Sequence, residues 1–188
     1  TPSGTDLICF NDNSGTATVA VIGGTLPYTF LWDDPLAQTS QTATNLAAGT
    51  YNVTVSDANN CSADTFLTII EPTLLSVSIT AFTDPTCNGV NDGSVTALAN
   101  GGTVAVDYNY AWDDPLNQTT ATANNLGGGV YTVTVTDDNG CTATASQTLT
   151  PPSAVVISLD TVVDVLCKGD ATGAINISIA GGNPAYTY

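Results

Sequence analysis

The motif Trp-Asp-Asp-Pro-Leu occurs twice in this chain, at residues 32–36 and again at residues 112–116. Residues around it recur at spacings of 78 to 80 positions, and a third copy begins at Cys167. Similarity at a fixed period is the mark of a tandem array in which each repeat is one structural unit. We therefore predict three repeats: residues 1–72, which lack a first strand, the complete repeat 73–151, and the truncated repeat 152–188.

The residue pattern within a repeat predicts an all-β fold. Thr, Val, Ile and Tyr alternate with small polar residues, most regularly at residues 130–136, and the Asp-Asp-Asn-Gly sequence at residues 137–140 is typical of a hairpin turn. Short strands separated by turns about every 8–12 residues are typical of an antiparallel β-sandwich of the immunoglobulin-like kind. We expect these sandwich repeats to stack head to tail.

The repeated motif and the aromatic residues after it are interpreted as structural. Trp112 lies on the predicted third strand, where immunoglobulin-like sandwiches place a core aromatic residue. Adjacent residues on a strand point to opposite faces, so the Asp pairs at 113–114 and 33–34 are interpreted as solvated turns and not as catalytic pairs. The run Leu-x-x-Gly-x-Tyr at residues 126–131 resembles the corner in which a Tyr hydroxyl bonds back to upstream backbone.

The charge composition argues against several classes of function. The chain has one Lys, no Arg and no His against 17 acidic residues, for a net charge of −16. Such a chain cannot neutralise nucleic-acid phosphates, and it lacks the His of Ser-His-Asp and Cys-His sites. No stretch approaches the roughly 20 apolar residues of a membrane helix. We therefore predict no enzyme activity, no nucleic-acid partner and no membrane insertion.

Two long runs in the first repeat carry a family resemblance. Residues 23–32 read Gly-Gly-x-x-Pro-Tyr-Thr-Phe-x-Trp, and residues 45–57, followed by Asn60-Cys61, read Asn-Leu-Ala-Ala-Gly-Thr-Tyr-Asn-Val-Thr-Val-Ser-Asp. These runs resemble the SprB repeat of giant Bacteroidetes surface adhesins, including the mobile adhesin of gliding flavobacteria, a repeat related in form to PKD-type domains. The resemblance covers the chain in three copies and departs from the pattern at residues 103–107. It implies an extracellular position at the bacterial cell surface and export by type IX secretion.

Five cysteines at equivalent points of the repeats indicate an oxidising, extracellular setting with disulfides. Pairing within a repeat, Cys9–Cys61 and Cys87–Cys141, would join opposite ends of a sandwich, whereas a disulfide needs Cα atoms within about 7 Å. Head-to-tail stacking would instead bring Cys9 beside Cys141. We favour the Cys9–Cys141 pairing between repeats and keep pairing within repeats as the alternative. Cys61, Cys87 and Cys167 are then expected to have partners outside the fragment.

Acidic residues gather in turns that this stacking would bring together. Oxygen-rich turns suit Ca²⁺, which takes six to eight oxygen ligands. We therefore predict calcium at the junctions between repeats and no other cofactor. The candidate ligands are Asp12, Asp84, Asp92, Asp137 and Asp138.

Two short sequences are candidate modification sites. Asp-Thr-Val at residues 160–162 resembles the motif at which Bacteroidetes attach O-glycans, and Asp-Thr-Phe at residues 64–66 matches it more loosely. The resemblance makes Thr161 and Thr65 candidate O-glycosylation sites.

The favoured function is structural: a stalk segment of a long extracellular cell-surface adhesin filament, serving attachment or gliding motility. Its partners would be neighbouring repeats of the same chain, other filament subunits or external glycans. The alternative is a glycan-binding module of a secreted or surface protein. In that case exposed aromatic residues such as Tyr28, Tyr108 or Tyr186 would stack on sugars.

Overall fold

The computed structural model describes residues 1–187, and every helix or strand assigned within them is a β-strand. Because no helix occurs in these residues, none is long and apolar enough to cross a membrane. The strands of the first repeat are β1 (Pro2–Thr5), β2 (Gly15–Val19), β3 (Thr29–Trp32), β4 (Thr42–Leu46), β5 (Gly49–Ser56) and β6 (Ser62–Ile69).

The middle and third repeats follow the same order of strands. The third repeat, in the residues described, has β13 (Val156–Val163) and β14 (Ala174–Ala180). The strands of the middle repeat are β7 (Thr73–Thr83), β8 (Gly93–Gly102), β9 (Asn109–Trp112), β10 (Thr122–Leu126), β11 (Gly129–Thr136) and β12 (Thr142–Leu149).

Each of the first two repeats contains a pair of three-stranded sheets. The orders are β1-β2-β4 and β3-β5-β6 in the first repeat, and β7-β8-β10 and β9-β11-β12 in the middle repeat. Strands one, two and four thus form one sheet and strands three, five and six the other, which is the strand partition of an immunoglobulin-like sandwich. The strand pairs of the first repeat are antiparallel. The predicted all-β, tandem immunoglobulin-like fold is confirmed.

The first repeat does have a first strand, contrary to our prediction. β1 pairs antiparallel with β2, from Pro2 opposite Val19 to Thr5 opposite Thr16. Its place beside the second strand is the one that β7 takes in the middle repeat. The prediction was wrong because the segment Pro-Ser-Gly-Thr has neither apolar alternation nor β-branched residues at most positions, so its strand conformation comes from pairing and not from its own pattern.

The chain divides into two compact units. One comprises Thr1–Val77, Ala99–Asn109 and Val135–Ala143, and the other comprises Ser78–Leu98, Tyr110–Thr134 and the residues from Thr144 onward. The cysteine junction described below lies entirely within the first unit.

The core follows the period-2 pattern of the strands. On β11, Tyr131, Val133 and Val135 are buried, and the residues between them are half-buried threonines. On β5, Tyr51, Val53 and Val55 are likewise buried, and the residues between them are exposed, because a strand directs successive side chains to opposite faces. The remaining core residues of the first repeat include Leu7, Ala17, Val19, Trp32, Ala43, Leu46 and Ile69.

Candidate functional site

The structure joins Cys9 of the first repeat to Cys141 of the middle repeat in a disulfide, with the two Cα atoms 5.7 Å apart. This is the pairing favoured from the sequence. Neither pairing within a repeat is formed, since Cys61, Cys87 and Cys167 are exposed and carry no disulfide. We therefore take the surroundings of Cys9 and Cys141, here called the cysteine junction, as the candidate functional site.

One side of the junction is the loop that connects β1 to β2. The carboxylate of Asp12 accepts hydrogen bonds from the backbone N–H groups of Cys9 (2.8 Å) and Ser14 (2.9 Å). The Ser14 hydroxyl in turn accepts from the backbone N–H of Ile8 (2.9 Å). A short acidic side chain that bonds nearby backbone amides closes a tight turn. The loop therefore presents Cys9 from a fixed backbone.

The other side is the hairpin between β11 and β12. The Asp137 carboxylate is buried and accepts from the backbone N–H groups of Asn139 (3.0 Å), Cys141 (2.9 Å) and Thr103 (2.9 Å). This close approach requires glycine at position 102, where a Cβ would lie 2.5 Å from Asp137 Oδ2 and φ is +68°. The Gly-Gly turn and the hairpin thus form one rigid surface around Cys141.

A polar contact accompanies the disulfide. The side-chain amide of Asn139 donates to the backbone carbonyl of Ile8 (2.9 Å) and to the hydroxyl of Thr103 (3.2 Å). The junction therefore combines a covalent bond with a hydrogen bond between the loop and the hairpin. Asn139 lies in a turn that the sequence places at the junction, but its hydrogen bond to the cysteine loop was not predicted. Its recurrence as Asn59, 80 positions earlier, is the signal that could have found it.

The carboxylates predicted to bind calcium do not gather into a cluster. Among residues 1–187 no group of three or more His, Cys, Asp or Glu side chains is placed to hold a metal ion. These carboxylates accept hydrogen bonds from backbone N–H groups instead. Thr150 donates to Asp84 (2.8 Å), Thr86 donates to Asp92 (2.9 Å) and Ala105 donates to Asp138. Asp12 and Asp137 accept the bonds described above for the loop and the hairpin. The expected clustering was wrong because each carboxylate accepts hydrogen bonds from backbone N–H groups of its own or another segment, and the five carboxylates do not converge on one point.

The second Asp of the repeated motif is buried, so its interpretation as a solvated turn was wrong. Asp34 is 5% exposed and Asp114 is 2% exposed. Asp34 accepts hydrogen bonds from the backbone N–H groups of Leu36 (3.0 Å) and Gln38 (2.8 Å) and from the Gln38 side-chain amide (3.0 Å). Burial raises the pKa of Asp34, but the hydrogen bonds from Gln38 and Leu36 outweigh it and hold that pKa below its ordinary value.

Gln38 connects this buried carboxylate to the neighbouring strand. Its side-chain amide donates to the Thr44 carbonyl (3.0 Å), and its side-chain carbonyl accepts from the Thr44 N–H (3.0 Å). Gln118 makes the equivalent bonds to Asn124 and Asp114 in the middle repeat. The pattern Asp-x-x-x-Gln occurs in both copies, at residues 34–38 and 114–118, and this recurrence was the available sequence signal.

The other structural interpretations of the motif region are confirmed. Trp32 and Trp112 are buried, and their indole N–H groups donate to the carbonyls of Ser40 and Thr120, both at 2.9 Å. The Tyr131 hydroxyl donates to the Gly127 carbonyl at 3.2 Å, which is the predicted corner, and the first repeat has the same bond at its own Tyr. The repeated motif therefore anchors the sandwich.

The three tyrosines suggested for sugar binding are not exposed platforms. Tyr28, Tyr108 and Tyr186 are each half-buried. Their hydroxyls donate to the carbonyls of Gly23, Gly101 and Gly181, the first glycine of the Gly-Gly turn in each repeat. The bond at Tyr108 measures 2.9 Å. These side chains hold the Gly-Gly turn in place.

The two candidate glycosylation sites differ in accessibility. Thr161 lies on β13 and is exposed, and its hydroxyl accepts a hydrogen bond from the Asn176 side chain (2.8 Å). Thr65 lies on β6 and is half-buried. O-glycosylation at either residue stays a prediction, with Thr161 the more accessible of the two.

Several solved structures match this chain at low sequence identity. A C-terminal 282-residue fragment of intimin, solved with the intimin-binding domain of the translocated intimin receptor, is 18% identical with a TM-score of 0.46; the match covers 84% of this chain and 65% of the fragment. The amphioxus IgVJ-C2 molecule is 18% identical with a TM-score of 0.31, over 75% of this chain and 98% of that one. No curated protein matches the chain.

A family model gives the assignment. The SprB repeat matches at residues 1–37, 79–117 and 159–188, which together make up more than half of the chain. Each matched segment begins eight residues before a cysteine, Cys9, Cys87 or Cys167, and includes the loop that carries it. The chain therefore belongs to the SprB repeat family and is a surface adhesin-type repeat region.

Proposed function

We propose that this chain is a stalk segment of a long extracellular cell-surface adhesin filament that serves attachment or gliding motility. The proposed task is mechanical, to hold an adhesive region away from the cell and to transmit force along the chain. In this role the protein is exported by type IX secretion to a bacterial cell surface and has no catalytic activity. Calcium binding at the junctions remains part of the proposal as a prediction.

The observation that carries the proposal is the Cys9–Cys141 disulfide. It connects two successive repeats at positions 132 residues apart in sequence. When such a stalk is under tension, this disulfide keeps the residues between Cys9 and Cys141 from being extended even if a repeat begins to unfold, so the segment resists lengthening. The junction also contains the Asn139–Ile8 hydrogen bond, so it is a packed contact as well as a bond.

The composition fits the same task. A net charge of −16 with a single Lys gives a self-repelling surface, which keeps a long polymer soluble. Paired threonine hydroxyls line the exposed faces, as between Thr50 and Thr68 on β5 and β6 (2.9 Å). Cross-strand Thr–Thr pairs stabilise a sheet without adding apolar surface.

The glycan-binding alternative has less support. Sugar-binding aromatic residues need an open ring face, whereas Tyr28, Tyr108 and Tyr186 are half-buried and bonded to the Gly-Gly turns. Glycan-array signal from the purified chain that disappears in Tyr108→Ala, while the variant keeps its disulfide, would favour that alternative over a stalk.

The proposed function is tested on intact source cells. Antibodies against the purified chain should label surface filaments in immuno-electron microscopy, at a range of distances from the cell envelope. A parent protein with an internal deletion of whole repeats should give shorter filaments and weaker attachment. Labelling confined to the cell interior, or filament length unchanged by the deletion, would contradict the proposal.

A further inference from the structure

The first repeat contains a second, unbonded copy of the hairpin side of the cysteine junction. Around Cys61, the carboxylate of Asp57 accepts from the backbone N–H groups of Asn59 (2.9 Å), Cys61 (3.0 Å) and Thr25 (3.0 Å). These bonds match those that Asp137 makes around Cys141. The surface that binds a cysteine loop at Cys141 is therefore also built at Cys61, where no loop is bonded.

The bonding of Asn59 shows what is missing at this second copy. At the occupied junction, the Asn139 side-chain amide donates both to the Ile8 carbonyl and to the Thr103 hydroxyl. The Asn59 amide donates to the Thr25 hydroxyl (3.1 Å), but within the described residues it makes no bond to a loop carbonyl like the one that Asn139 makes to Ile8. One amide hydrogen is thus left for a loop carbonyl.

The surface beside Cys61 is apolar and open. A cleft of about 200 Å³ next to Cys61 is lined by Val21, Ile22, Gly24 and Tyr28, and Ile22 is 93% exposed. The corresponding cleft beside Cys141 has Cys9 and Phe10 in its lining, contributed by the bonded loop. An exposed Ile next to a free thiol is the surface that such a loop would cover.

We propose that the hairpin end of the first repeat, residues 57–61 with the Gly-Gly turn at 23–24, is a docking site for the cysteine loop of another SprB repeat. A disulfide from that loop to Cys61 would complete the site. The two thiols lose two protons and two electrons in forming it, and a small-molecule disulfide such as oxidised glutathione accepts them and is reduced to two thiols. The inference rests on the proposed function and names the partner: a loop in which a cysteine is followed six residues later by glycine, as Cys9 is by Gly15.

This chain carries two other loops of that kind with exposed, unbonded cysteines, Cys87 and Cys167. The Cys87 loop is already contacted, because the Thr86 carbonyl accepts from the Asn183 side chain (3.3 Å) and the Asn88 side chain donates to the Pro152 carbonyl (3.5 Å). The Cys167 loop of a second copy is therefore the expected partner of Cys61.

The test uses the purified chain at micromolar concentration in a glutathione redox buffer, with a second copy of the same chain as the probe. Non-reducing electrophoresis should show linear multimers, and mass spectrometry of Asp-N peptides should find Cys61 joined to Cys167, or less often to Cys87. The Cys61→Ser variant should stay monomeric. The Cys9–Cys141 peptide in each digest reports that the variant has folded.

The non-covalent contact is tested separately. Because the Asn59 amide contributes about one hydrogen bond, Asn59→Ala should slow Cys61 cross-linking about fivefold. Asn124→Ala is the matched control, since that side chain is exposed and makes none of the described contacts. Symmetric Cys61–Cys61 links as abundant as Cys61–Cys167 links, or a rate unchanged by Asn59→Ala, would overturn the inference. Either result leaves the cell-labelling test of the stalk unaffected.

Discussion

The side-chain amide of Gln118 donates a 3.0 Å hydrogen bond to the buried carboxylate of Asp114. Gln38 and Asp34 repeat this contact in the first repeat. In both cases the same glutamine also bonds the backbone of the fourth strand, so one side chain connects the end of the third strand to the opposite sheet. The motif and the glutamine after it thus encode a contact between the two sheets of each repeat.

Removing the glutamine should destabilise the repeat. Gln118→Met keeps the side-chain volume but leaves the Asp114 carboxylate and the Asn124 backbone short of partners, at a cost of about 1–3 kcal/mol in the free energy of unfolding. Urea unfolding followed by Trp fluorescence measures this cost. The control is Gln147→Met, with an expected effect within about 0.5 kcal/mol, because within residues 1–187 the Gln147 amide bonds only the carbonyl of Thr148. Equal losses in the two variants would contradict the role of Gln118.

Stability should fall in acid because of the same carboxylates. The folded-state pKa of Asp34 and of Asp114 is depressed, since their hydrogen bonds outweigh the effect of burial. The stabilisation is thus fully present above the unfolded pKa, about 3.8, and is lost as pH falls through the lower folded value. Urea unfolding between pH 7 and pH 2 should show this loss.

A variant separates these carboxylates from the others in the chain. Asp114→Asn should be less stable than the parent near pH 7, because an amide cannot accept all of the bonds, and should lose less stability on acidification. An identical pH dependence in parent and variant would show that other carboxylates dominate.

Loss of the junction disulfide should cost more than loss of any other cysteine. Cys9 and Cys141 close a loop with a sequence separation of 132, for which the entropic model gives about 5 kcal/mol of stabilisation. We expect Cys141→Ser to lower the melting temperature, as measured by differential scanning calorimetry, and Cys61→Ser to leave it unchanged. A Cys141→Ser protein as stable as the parent would show that the bond contributes little.

Force spectroscopy should detect the same bond directly. When the chain is stretched by its ends, the disulfide shields the residues between Cys9 and Cys141 from extension. Reduction with dithiothreitol should therefore lengthen the fully unfolded chain by roughly 450 Å, at about 3.4 Å per residue. Equal contour lengths before and after reduction would mean that the pair is not bonded in solution.

The tyrosine corner gives a smaller, local prediction. Tyr131→Phe removes only the hydroxyl that donates to the Gly127 carbonyl and should cost about 1 kcal/mol. Tyr131→Leu also removes the buried ring and should cost more, about 2–4 kcal/mol in unfolding free energy. If Tyr131→Phe lost as much stability as Tyr131→Leu, the hydroxyl would contribute more than one ordinary hydrogen bond.

Local patterns in the sequence determined most of the sandwich. The tandem period, the alternation at residues 130–136, the buried Trp112 and the corner at Tyr131 were predictable. The period follows from direct comparison of the repeats. The other features depend on side-chain direction along one strand or on a short fixed spacing, and both are set within a few residues. The weak first strand β1 was missed because its conformation comes from its partner, not from its own residues.

Only the tertiary structure decided where the polar side chains go. Asp34 and Asp114 look like exposed turn residues in the sequence, yet both are buried. Burial is tolerated because their carboxylates accept hydrogen bonds from backbone N–H groups and from a glutamine four positions later. The carboxylates expected at a metal site accept hydrogen bonds from backbone N–H groups instead, and the Tyr108 hydroxyl donates to a glycine carbonyl. Whether a polar side chain next to a turn is buried or exposed depends on how the two sheets pack around it, and its own short sequence does not specify that packing. The sequence therefore determined the repeat and its core, and the packing of loop against hairpin decided which cysteines meet.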